Sequence, residues 1–157
     1  MNGPAELSYE QCYELLTGAV FGRVAVSTPS GPRIVPVNYS LVNATIVFRT
    51  APYSVLGTYA GNSQLAFEVD HVDRVDRVDR VDDVDQQTHR GWSVVATGRG
   101  YLVDDLEELA EIRSLADPRP WAGGARLLYI RLRWDELSGR RVGEGWASEA
   151  EPASHPV

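Results

Sequence analysis

Apolar and polar residues alternate along most of this chain, and helical spacing is confined to three short stretches. The alternation is clearest over residues 34–41. There Val35, Val37, Tyr39 and Leu41 share one face, and Pro36, Asn38 and Ser40 share the other. A period of two is expected of a half-buried strand. The same reading predicts strands over residues 21–28, 45–49, 65–70, 92–103 and 126–134. Leu65, Phe67 and Val69 face inward, as do Leu128, Ile130, Leu132 and Trp134, while Arg131 and Arg133 face out. Pro29-Ser30-Gly31-Pro32 and Val42-Asn43 mark tight turns. Gly98 and Gly100, inside a long strand, predict the bends or bulges that a closing barrel requires.

The first helix is expected over residues 8–17, with Ser8 and Gln11 forming a capping box and Cys12, Leu15, Leu16 and Ala19 forming the apolar stripe. Gly18 stops it. Ala51-Pro52 opens a second, short helix whose buried side is Val55, Leu56 and Tyr59, and Gly61-Asn62 ends it. The third covers residues 104–116, capped by Asp104 with Glu107 three positions on, and Pro118 and Pro120 prevent its continuation. About six strands and three short helices, joined by hairpin-length connections, predict a mainly β antiparallel fold.

One segment breaks the alternation. Residues 69–86 are six consecutive triplets, VDH, VDR, VDR, VDR, VDD and VDQ. A period of three places the valines on no single face of a strand or a helix, and dense Asp disfavours a strand. A solvated excursion between two barrel strands is expected. Cation binding by the Asp residues is disfavoured, because Arg74, Arg77 and Arg80 are interleaved with them.

The length of 157 residues fits one domain with its own core. The net charge of −7 argues against a nucleic-acid partner and against docking on an anionic membrane. A single cysteine, Cys12, rules out a disulfide within the chain, and its place on an apolar helix face makes it a core residue. The first residues lack the basic and apolar regions of a signal peptide, and no apolar run reaches membrane-spanning length, so the expected compartment is the cytoplasm.

Motifs for hydrolysis or nucleotide binding are missing: there is no nucleophile elbow, zinc-protease helix or Walker loop. His71 and His89 flank the triplets and could meet with Asp70 across their base, but only the insertion suggests that proximity, so no metal site is expected. Residues 46–52 are more informative, since a strand runs there into a helix start with Arg49 and Thr50 at the junction. Free N–H groups at a helix start, a forked guanidinium, and the hydroxyls of Thr50 and Ser54 would suit one phosphate. The alternative is that Thr50 caps the helix and Arg49 pairs with a carboxylate. Asn38, Tyr39 and Ser40, polar in mid-strand, line a cleft or face solvent; Trp92, which begins the long strand with Ser93, stacks on a flat ring or packs in a core or interface.

Together these pieces resemble the pyridoxamine 5′-phosphate oxidase-like family of flavin-binding split barrels. The resemblance runs from about residue 7 to residue 143. It is carried by Ser8 with Leu15-Leu16, Gly22-Arg23-Val24-Ala25, Pro36-Val37-Asn38-Tyr39, Phe48-Arg49-Thr50, Ala66-Phe67-Glu68-Val69-Asp70, Gly91-Trp92-Ser93-Val94, Gly98-Arg99 and Ser138-Gly139-Arg140-Arg141. It implies a six-stranded antiparallel split β-barrel of Greek-key type over residues 1–143, carrying the acidic insertion at about 69–90. Residues 144–157 are expected to form a disordered tail.

The resemblance also implies a homodimer with two FMN sites at its interface. Pro36, Val37 and Asn38 would lie along the ring, Arg49 and Thr50 on the phosphate, and Trp92 and Ser93 near the ring from the partner chain. The family often has a basic residue one turn into the helix after the Arg-Thr pair, where this chain has Val55. The implied activity is an FMN-dependent oxidoreductase acting on a small organic substrate, with the ring doing the redox chemistry and no catalytic side chain assigned. The alternatives are a non-catalytic flavin- or tetrapyrrole-binding module and a deazaflavin-dependent reductase.

Overall fold

The computed structural model describes residues 5–73 and 90–143. The elements, in chain order, are β1 (Ala5–Glu6), α1 (Tyr9–Gly18), β2 (Phe21–Thr28), β3 (Gly31–Val42), β4 (Thr45–Thr50), α2 (Val55–Tyr59), β5 (Gln64–Asp73), β6 (Arg90–Leu102), α3 (Leu106–Ala116) and β7 (Leu128–Val142). All strand pairs are antiparallel. The sheet order is β1-β7-β4-β3-β2-β5-β6, and a β7–β6 pairing closes it. Six strands therefore form the expected split-barrel ring, and the seventh is the two-residue β1 at the far end of β7.

The alternation explains the core. Val24, Val37, Tyr39, Ile46, Phe48, Leu65, Phe67, Val69, Val94, Ile130 and Leu132 are buried in one cluster with Cys12 and Leu16 of α1 and Leu56 of α2. Burial also pushes the Cys12 thiol up from its ordinary value, as befits a core residue. Ser8 caps α1 with both bonds of the capping box. Between β6 and β7 the register shifts at Thr97/Gly98, so one residue of β7 bulges out. A Cβ on Gly98 would stand 1.9 Å from the Arg133 carbonyl oxygen, which explains the glycine there.

Several boundaries differ from the sequence reading. Residues 51–54 form a turn, and α2 begins only after Ser54, whose hydroxyl accepts from the Gly57 N–H at 3.0 Å. The later start turns Val55 outward, 38% exposed, rather than into the buried side. Asp105, not Asp104, caps α3, accepting from the N–H groups of Glu107 and Glu108 at 2.8 and 3.0 Å. The last strand starts at Leu128 rather than 126 and runs on to Val142, because β6 pairs with it from Ile130 to its end. Residues 71–73, read as part of the excursion rather than of the strand, continue β5 opposite 90–92 of β6. Ladder pairing there outweighs the poor strand propensity of Asp. The remaining triplets with His89, and the expected tail at 144–157, lie outside the described residues.

Arg131 is the largest departure. The expectation was an outward arginine, yet it is 5% exposed. The outer face of β3, β4 and β7 is itself covered by α3, with Val42, Val47, Val103, Ile112 and Tyr129 in a second core. Arg131 crosses that layer: it donates to Thr45 Oγ1 at 2.6 Å, to the Val42 carbonyl at 3.2 Å and to Glu108 Oε1 at 2.6 Å. Truncation would strand polar groups in a dry layer. Arg131→Ala should therefore lower unfolding stability by about 3 kcal/mol, the low end for a broken buried pair because Glu108 keeps some solvent. Urea denaturation measures it, and an unchanged midpoint would refute the locking role.

Candidate functional site

The site arises where two strands part. Residues 31–38 of β3 pair with β2, and residues 39–42 pair with β4. The β3–β4 ladder stops at Tyr39–Phe48, one position short of Asn38 and Arg49. Beyond it β4 continues with β7, pairing Arg49 with Tyr129 and Thr50 with Leu128. The edge of β3 from 35 to 38 thus has β2 on one side and no strand on the other. A cleft of about 410 Å³ fills the wedge, within the usual range for small-molecule sites. It is lined by Val35, Pro36, Val37, Asn38, Arg49 and Thr50, with Phe21, Leu56, Pro120, Trp121, Ala122 and Arg126 around them.

Arg49 projects from β4 toward the loop after α3. Its Nε donates to the Arg126 carbonyl at 3.1 Å and its Nη1 to the Pro118 carbonyl at 3.5 Å. Nη1 lies 3.8 Å from Asp117 Oδ1, an oxygen that also accepts from the Tyr129 hydroxyl at 2.9 Å. The guanidinium sits 5.0 Å over the Tyr129 ring, a cation–π contact. These bonds leave several Arg49 N–H donors for a ligand. Opposite, Asn38 Oδ1 accepts from the Trp121 N–H at 2.8 Å, and Trp121 stacks on Phe21 with centroids 5.4 Å apart and planes at 4°. Among the described residues no Asp or Glu lines the cleft.

The structure brings Pro36, Val37, Asn38, Arg49 and Thr50 together as the sequence suggested. Ser54 lies behind them. Its hydroxyl donates to the Ala51 carbonyl at 2.7 Å, so the 2.6 Å contact with Thr50 has Thr50 as donor. Both hydroxyl protons are thereby spent internally. The Gly57 N–H in the first turn of α2 is likewise taken, by Ser54 itself. Val55 is exposed and outside the cleft lining. Trp92 and Ser93 lie on β6, opposite β3 in the six-strand ring, where Trp92 packs on the barrel core. His71 lies 6.2 Å from the Trp92 ring, and no cluster of three metal-ligating side chains exists among the described residues.

Sequence reasoning missed Phe21, Leu56, Trp121 and Arg126. A weak signal was available for Trp121: Pro118-Arg119-Pro120-Trp121-Ala122-Gly123-Gly124 has no periodicity, so a tryptophan there has no core to serve.

Residues 8–141 match the family described as pyridoxamine 5′-phosphate oxidase, and the chain belongs to that family. It is 27% identical to a solved FAD binding protein from Mycobacterium smegmatis, covering 88% of this chain and 98% of that one at a TM-score of 0.66. A conserved protein of unknown function from Corynebacterium diphtheriae is 29% identical, with 88% and 98% covered and a TM-score of 0.67. An uncharacterised protein of Mycobacterium tuberculosis is 28% identical over 142 residues, covering 87% of this chain and 84% of its own length.

The Asn38–Trp121 bond ties the loop to the strand edge. Asn38→Ala should release about 1 kcal/mol locally, giving roughly fivefold faster exchange of the Trp121 amide proton with global stability unchanged. Hydrogen-exchange mass spectrometry decides it; unaltered exchange would show that the Phe21 stack alone holds the loop.

Proposed function

We propose that this chain binds a phosphorylated flavin in the cleft between β3 and β4 and works as an oxidoreductase on a small organic molecule. The observation that carries the reading is the meeting of a bare strand edge, 35–38, with Arg49 across one cleft. The polar edge of a flat heterocycle can use the unpaired backbone groups of such an edge. Apolar Val35, Val37 and Leu56 exclude water from the ring, and Arg49 provides a forked cation for the phosphate. FMN is the smallest such ligand; the similar Mycobacterium smegmatis protein is described as FAD binding, and a deazaflavin presents the same shape. When bound, the flavin supplies the two-electron chemistry, so the chain's own work is to hold, orient and desolvate it.

A homodimer belongs to this proposal, as does placement in the cytoplasm. Trp92 and Ser93 stand across the ring from the cleft within one chain, and reach a ring there only from a second copy. Titration of the protein with FMN, FAD and a deazaflavin tests the reading. Micromolar or tighter binding is expected for at least one, and Arg49→Ala should weaken it about ten- to hundredfold. No affinity for any of them would end the proposal. Sedimentation velocity should give a dimer; a monomer would remove Trp92 and Ser93 from the site.

A second reading, a flavin- or tetrapyrrole-holding module without turnover, draws on Arg49. Two of its N–H groups already serve loop carbonyls, and Val55 adds no charge to assist it. Reduction of the bound flavin by nicotinamide donors separates the two: turnover favours the oxidoreductase.

A further inference from the structure

Arg126 has an Nε that is buried without a hydrogen-bond partner, the only buried side-chain nitrogen or oxygen so placed among the described residues. Burying a donor of a charged group with no acceptor is unfavourable, and native proteins rarely leave such a group unexplained. The side chain lines the same cleft as Arg49. The two are also mechanically joined, since Arg49 Nε donates to the Arg126 backbone carbonyl at 3.1 Å. That bond fixes residue 126 at the border of the cavity. Two arginines thus border a cavity with no carboxylate in its lining among the described residues. The nearest acid at Arg49, Asp117, is 3.8 Å away and shared with the Tyr129 hydroxyl. Two cations on one cavity are best matched by a doubly charged anion, and a phosphomonoester carries close to two negative charges at neutral pH.

We infer that Arg126 is the second phosphate-binding cation of this cleft, supplying from the loop before β7 the charge that Val55 does not supply from α2. The inference rests on the flavin reading above and adds a residue and a selectivity to it: the cleft discriminates a ring bearing a phosphate from the same ring without one. Truncating the side chain leaves the backbone carbonyl that Arg49 uses, so Arg126→Ala removes the charge without removing the loop's anchor.

The test is a binding cycle with FMN and riboflavin, which share the ring and differ in the phosphate. Wild type, Arg126→Ala and Arg126→Lys are titrated at low and moderate salt by flavin fluorescence. Wild type should prefer FMN. Arg126→Ala should lose about ten- to hundredfold for FMN, keep its riboflavin affinity, and show a shallower salt dependence. Arg126→Lys should recover part of the FMN affinity, since a lysine restores the charge but not the fork. Riboflavin affinity serves as the internal check that each variant is folded. Equal losses for both ligands, or undiminished FMN binding by Arg126→Ala, would overturn the inference and leave the flavin reading standing. Wild-type protein that binds neither ligand would overturn both.

Discussion

Antiparallel strands stay together as long as their backbone groups exchange hydrogen bonds, and β3 and β4 stop doing so after Tyr39–Phe48. Beyond that pair each strand follows a different neighbour, β3 staying with β2 and β4 going with β7. That parting opens the cleft. A backbone edge left bare in a wall of buried valines is tolerable only if water, a loop or a ligand completes it. Here the loop between α3 and β7 covers part of it, through the Trp121 N–H on Asn38 and the Trp121 ring on Phe21.

That loop hangs between two anchors. At one end Ser40 donates to the Ala116 carbonyl at 2.5 Å, fastening the end of α3 to β3. At the other Arg49 donates to the Arg126 carbonyl, fastening the approach to β7. Tyr129 is the post between them, with the guanidinium groups of Arg49 and Arg113 at 5.0 and 5.4 Å from its ring and its hydroxyl on Asp117. Arg131 locks the start of the same helix through Glu108. The elements that border the cleft are therefore stiffened by side chains of the strands that part to form it. This kind of support from packed and hydrogen-bonded neighbours keeps a site preorganised.

Much of this was legible along the chain. The inward sets Leu65, Phe67, Val69 and Leu128, Ile130, Leu132, Trp134 follow from alternation alone, and all but the partly buried Leu128 and Trp134 are in the core. The capping box of Ser8 and Gln11 was readable because it is local. Arg49 stood out as a cation at a strand end, and Asn38 as a polar residue in mid-strand. Ser54 was misread because its hydroxyl faces its own turn, a matter of local rotamer that spacing does not encode. Residues 135–142 were left out of the last strand because their one-sided contact with β6 and α1 leaves polar residues on most positions.

By itself the amino-acid order determined which residues share a face, where the chain turns, and hence that the fold is mainly β and antiparallel with Arg49 at a strand end. Those properties depend on neighbours a few positions away. Only the tertiary structure decided where the β3–β4 ladder ends, that Arg131 is buried beneath α3, that Val55 turns outward, and that Trp121 and Arg126 join Asn38 and Arg49 around one cavity. Each of those outcomes depends on which segments compete for the same partner across long loops, and hydrophobic periodicity carries no information about that competition.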